Sequence, residues 1–221
     1  MANIYPTKTE YDQYWESQQR RAKGLANSAI SPIYVNARDR VTTDALGVLN
    51  NRKYLRIENP RRRLIAVKRD PKIKQVEKVI IRAAEQSLNA IFNNLAPSYE
   101  VEVMQACKVL YPEFDKIGNC NVTVSKAEQA QMRQEPFLGR TYREWNIINR
   151  DNAIKQWHSQ FRQVMTGEIR TETAVSRDVQ LVQAMRKILN TQESKTKTLF
   201  NNAMIQVSRK AQADLEGAIW Q

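Results

Sequence analysis

The chain has 221 residues, is 42% hydrophobic and 26% charged, contains six glycines and carries a formal net charge of +12. So few glycines and so ordinary an apolar content exclude a fibrous or low-complexity chain, and this length is enough to bury a real core. No apolar run approaches the roughly 18 residues that span a bilayer, so no membrane partner is expected.

In chain order, the first expected element is a helix opening at Thr9. Glu10 and Asp12 suit the positive end of its dipole, and Tyr11, Tyr14, Trp15, Gln18, Ala22, Leu25 and Ala26 recur at helical spacing. Residues 27–32, ending in Pro32, break that pattern, and 33–50 read as extended or irregular.

Residues 52–74 then hold ten basic side chains against two acidic ones, which is most of the net charge of the chain. Two β-competent runs, 53–58 and 63–68, flank Asn59-Pro60-Arg61-Arg62, and that composition predicts a short β-hairpin with arginines at its tip. The candidate polyanion-binding residues are Arg52, Lys53, Arg56, Arg61, Arg62, Arg63, Lys68 and Arg69. Their concentration in one segment points to a strongly negative docking partner. Tyr11, Tyr14 and Trp15 are either core or a partner anchor, since aromatic residues dominate interface hot spots.

From Lys72 onward the expectation is helical. Ile73, Val76, Ile80, Ala83, Ser87, Leu88, Ile91 and Leu95 form a stripe that Pro97 should stop, and a second helix over 98–111 should end at Pro112. A loop follows over 113–124, with a small strand conceivable at 121–124. Ser125 with Glu128, and Thr141 with Glu144, are capping-box signatures for two further helices, the second ending at Gly167. Two final helices are expected, over about 173–189 and from about 194 to the end. The fold class is therefore mainly α: an elongated multi-helix body over 72–221 behind a basic N-terminal arm over 1–71.

No catalytic constellation is legible, and the chain reads as a binding or structural protein rather than an enzyme. His158 is the single histidine and reads as structural or surface; pairing it with Glu168 or Glu172 for acid–base work would need burial that the sequence does not show. No metal-ligand spacing and no phosphate-cradling glycine motif occurs, so no metal and no cofactor is expected. Cys107 and Cys120 read best as reduced thiols in a cytosolic setting, a disulfide between them being the alternative that nothing in the sequence supports.

Residues 137–145, Phe-Leu-Gly-Arg-Thr-Tyr-Arg-Glu-Trp, resemble the Gly-x-Thr-hydrophobic-x-Glu-Trp approach to the long helix of tailed-phage head-morphogenesis proteins, the minor head proteins of the Mu F-like group. Met165-Thr166-Gly167-Glu168 is similar to the step that closes that helix. Residues 197–203, Lys-Thr-Leu-Phe-Asn-Asn-Ala, are similar to an Arg-Thr-x-x-Asn-x-Ala helix start, with lysine in place of the usual arginine. The resemblance spans roughly residues 75–221. It implies a virion component at the capsid portal vertex, present in the host cytoplasm during assembly and arranged in several copies around the portal protein ring. It further implies a role in head assembly and in DNA packaging or ejection, with packaged double-stranded DNA as a further partner. The alternative from the residues alone is a sequence-independent nucleic-acid-binding protein with a helical dimerisation body.

Overall fold

A computed structural model describes residues 6–45, 52–115, 120–166 and 177–219. The element order is α1 (Lys8–Ala45), α2 (Arg52–Leu55), α3 (Pro60–Lys68), α4 (Pro71–Leu110), α5 (Pro112–Asp115), α6 (Lys126–Gln134), α7 (Tyr142–Thr166) and α8 (Arg177–Ile219). The mainly α class holds. Among the described residues there is no strand, only an isolated bridge between Phe137 and Arg140, so both the hairpin and the small strand at 121–124 are corrected.

Three expected breaks are absent. Helix α1 runs through Pro32 instead of ending near residue 27, and α4 runs through Pro97 instead of splitting. Proline inside a helix removes one backbone hydrogen bond and crowds the carbonyl four residues earlier. Both prolines sit at exposed positions, as do Ser28 and Asn93 four residues before them, so the released carbonyls face water. The flanking apolar residues (Ile30 and Tyr34; Leu95 and Ala96) are buried, and that packing outweighs the local penalty. The third break, over about 190–194, disappears because α8 is one helix of 43 residues. Residues 197–203, expected as a helix start, lie inside it.

The helix starts follow their caps. At α1 the cap is Thr7 rather than Thr9: Glu10 N–H donates to Thr7 Oγ1 (3.3 Å), and Thr7 N–H donates to Glu10 Oε2 (2.7 Å). The bond from the Thr7 N–H, then one from the Thr7 hydroxyl (2.7 Å), hold the Glu10 carboxyl below its ordinary range. The expected boxes are present at Ser125–Glu128 for α6 and Thr141–Glu144 for α7. The chain enters α7 through a tight turn closed by reciprocal Phe137–Arg140 backbone bonds, with Gly139 at φ 75, where a side chain would be strained. The expected helix end at Gly167 lies outside the described residues.

The chain forms two compact units that interleave along the sequence. One takes 1–29, 88–144 and 197–221; the other takes 30–87 and 145–196. Neither coincides with 1–71 or with 72–221. In the first unit a cluster of Tyr14, Ala106, Leu110, Tyr111 and Leu215 encloses a disulfide between Cys107 and Cys120. The expected reduced thiols are thus corrected: the last turn of α4 and the segment before α6 bring both sulfurs together in an apolar setting. In the second unit Tyr34, Ile80, Trp157, Leu181 and Met185 are among the fully buried side chains, and Trp157 packs against Phe161 at 5.3 Å between ring centroids.

Candidate docking surface

The basic segment lies in the second unit and is built on helix caps. Asn59 precedes Pro60 at the first position of α3, and its side-chain oxygen accepts from the N–H groups of Arg61 (3.0 Å) and Arg62 (3.1 Å). Asn-Pro read as a turn is therefore an N-cap followed by a proline at N1, a position where the missing proline N–H costs nothing. Once that start is fixed, the modest β preference of Leu64, Ile65 and Val67 yields to helix. The same device opens α4: Asp70 precedes Pro71 and accepts from the Lys72 N–H at 2.9 Å. The other oxygen of Asp70 accepts from the hydroxyl of buried Tyr54 at 2.5 Å, which ties α2 to the start of α4. Burial, followed by the Asp70 bond, raises the pKa of Tyr54.

The eight predicted basic residues separate into distinct positions. Arg63 is half-buried, and its Nε donates to the Ile57 carbonyl at 2.7 Å, clasping the α2–α3 connection. The Lys53 ammonium sits 4.6 Å over the Tyr54 ring. Arg56, Arg61, Arg62, Lys68 and Arg69 are exposed; the Arg52 side chain lies outside the described residues. Helix α3 carries no acidic residue, and Arg61, Arg62 and Arg63 occupy its first turn. Positive charge there opposes the helix dipole at roughly 0.3–1 kcal/mol per residue. The surface is thus electrostatically unfavourable by itself and becomes favourable against an anion.

The aromatic trio lies in the first unit and divides. Tyr14 is core: its hydroxyl donates to Glu102 Oε2 at 3.1 Å. Tyr11 and Trp15 pack edge to face at 6.2 Å and line an open groove of about 520 Å³ with Arg209, Gln212 and Glu216. Arg209 stands 6.0 Å from the Trp15 ring.

A buried charged group that sequence patterning misses is Glu102. Besides the bond from Tyr14 it accepts from the Arg21 guanidinium at 2.6 Å. Burial raises its pKa, outweighing the opposing pull of Arg21 and of the bonds from Tyr14 and Ser208. A carboxyl with a raised folded-state pKa is most favourable below its unfolded value, and that contribution is lost as pH rises through the folded one. Relative to the parent chain, Glu102→Gln should therefore lose more stability at pH 4 than at pH 7. Thermal unfolding at both pH values checks this; a difference that grows toward pH 7 would refute the assignment.

His158 Nε2 lies 3.5 Å from Glu77 Oε1, and both are partly exposed. Glu168 and Glu172 lie outside the described residues, and among the described residues no cluster of metal-ligating side chains occurs. Comparison with protein-family models, with curated proteins and with solved structures finds no match for this chain.

Proposed function

We propose that this chain is a structural docking protein, a portal-associated minor head protein of a tailed phage, which engages a strongly negative partner through α2 and α3. The single observation that carries the docking role is the first turn of α3, where exposed Arg61 and Arg62 stand at the positive end of a helix lacking any carboxylate. What favours the portal vertex in particular is the resemblance over residues 137–145. There the Thr141–Glu144 box and the Gly139 turn open a helix of 25 residues, as that motif requires. In this reading the chain joins the virion at the portal ring, in several copies, and takes part in head assembly and DNA packaging or ejection.

A second reading, a sequence-independent nucleic-acid binder, is favoured by the same exposed cations, which suit a phosphate backbone. Co-sedimentation with the cognate portal ring across a salt series, with DNA as competitor, separates the two. Replacing Arg61, Arg62 and Arg69 together by alanine should abolish association with the ring without lowering the unfolding temperature. Arg63 is left in place because its bond to Ile57 is structural. Association that DNA does not displace supports the portal reading. Loss of log affinity at about 0.9 log units per log unit of salt for each phosphate neutralised, without ring binding, supports the nucleic-acid reading. Unchanged association of the triple variant would refute the docking role of α3.

A further inference from the structure

We propose that a cavity between α3 and α7, within the second unit, is a binding site for a phosphate ester. The cavity has a volume of about 350 Å³ and is lined by Leu64 and Lys68 of α3 and by His158, Ser159, Phe161 and Arg162 of α7. The spacing explains the convergence: 64 and 68 are one turn apart on α3, and 158, 161 and 162 share one face of α7. The floor is apolar, with buried Phe161 held by its contact to Trp157. The volume falls within the range of small-ligand sites, roughly 300–1,000 Å³.

The charge of the lining identifies the ligand. Lys68 and Arg162 are both exposed at the rim, and no carboxylate lines the cavity. Elsewhere several cations meet acids, among them Arg21 with Glu102, Arg38 with Glu193 and Lys210 with Glu135. Among the described residues neither Lys68 nor Arg162 meets one. The nearby carboxylate of Glu77 lies beside His158. Two cations brought together over an apolar floor repel each other, and an anion shared between them reverses the sign of that interaction.

A guanidinium fork, an ammonium and the Ser159 hydroxyl suit an anion with three or four acceptor oxygens better than a two-oxygen carboxylate. The apolar wall of Leu64 and Phe161 accommodates the organic part of an ester. This site goes beyond the docking surface and does not include Arg61 or Arg62. The phosphate can belong to a small monoester or to a nucleic-acid backbone.

Calorimetric titration of the full chain with thymidine monophosphate, followed by competition with a short DNA duplex, tests the site. Saturable binding is expected. It should be weakened at least about tenfold by K68Q or by R162Q, the loss of one hydrogen bond to a charged group, and left unchanged by R61Q/R62Q. All variants change exposed side chains, and equal thermal unfolding verifies that they fold. Displacement of the monophosphate by the duplex assigns a backbone phosphate; failure of the duplex to displace it assigns a small ester. Absence of monophosphate binding, or binding that survives K68Q/R162Q, overturns the site. Neither of those two results bears on ring association, which is read separately on the Arg61, Arg62 and Arg69 variant.

Discussion

Ile80→Asp should abolish cooperative folding of the chain. Ile80 is fully buried in the second unit, on the same helix as buried Val76, Val79, Ala83 and Ala84. A carboxylate placed there meets apolar neighbours along its own helix, and burying a charge without a partner costs several kcal/mol. Natural domains have only about 5–15 kcal/mol of stability in total, so that loss is a large fraction of it. Ile80→Val provides the graded control, at about 0.5–1.5 kcal/mol. Circular dichroism with thermal unfolding measures both. An Asp variant that unfolds at the parent temperature would show that this face of α4 does not pack as described.

The second large effect is expected at the disulfide. Cys107 and Cys120 are 13 residues apart, and closing a loop of about this size stabilises by roughly 3 kcal/mol in the chain-entropy view. The bond lies in the cluster of Tyr14, Ala106, Leu110, Tyr111 and Leu215, so cutting it also loosens that packing. Replacing both cysteines by serine should lower the unfolding temperature by about 2–4 °C for each kcal/mol lost. The parent chain should show the same fall after reduction, and the serine variant should not respond to reductant. Two titratable thiols in the unreduced, denatured parent chain would show that the bond is absent.

The expectation of free thiols failed for a reason that recurs across the fold: the decisive contacts join residues far apart in sequence. Local signals were legible, as the boxes at Ser125–Glu128 and Thr141–Glu144 show, because a cap is satisfied within four residues. Helix continuity was not, because the buried seams pass through polar residues. On α4 the seam continues past Pro97 through Ser98, which donates to Met204 Sδ, and through Glu102, which meets Tyr14 and Arg21. On α8 it passes through Gln192 and Thr196, the latter bonded to the Tyr34 hydroxyl. No apolar periodicity reveals such positions; the partners of Ser98, Glu102 and Thr196 lie 81 to 162 residues away. On α1 the stripe legible up to Ala26 continues past the break read at 27–32, through Ile30, Tyr34, Ala37 and Val41.

The candidate surface was legible in composition and misread in shape. The charge of residues 52–74 identified the segment, but a single dipeptide, Asn59-Pro60, suits either a turn or a helix start, and the cap geometry decided for the helix. Arg63 was grouped with its neighbours by charge alone, whereas its bond to Ile57 makes it part of the framework. Of the phosphate cavity the sequence signalled only Lys68; Arg162 joins it in the lining through the tertiary placement of α3 and α7.

The interleaving of the two units constrains how the chain can be made. Synthesis is vectorial, and domains ordinarily fold in turn as they leave the ribosome. Here the first unit draws its third segment from residue 197 onward, and the second draws its last from 145–196. The N-terminal helix therefore has no complete set of partners until nearly the whole chain has been translated. Until then its buried face is covered only in part, by the segment that brings Glu102 to Tyr14 and Arg21, and the uncovered remainder is a surface a chaperone can bind.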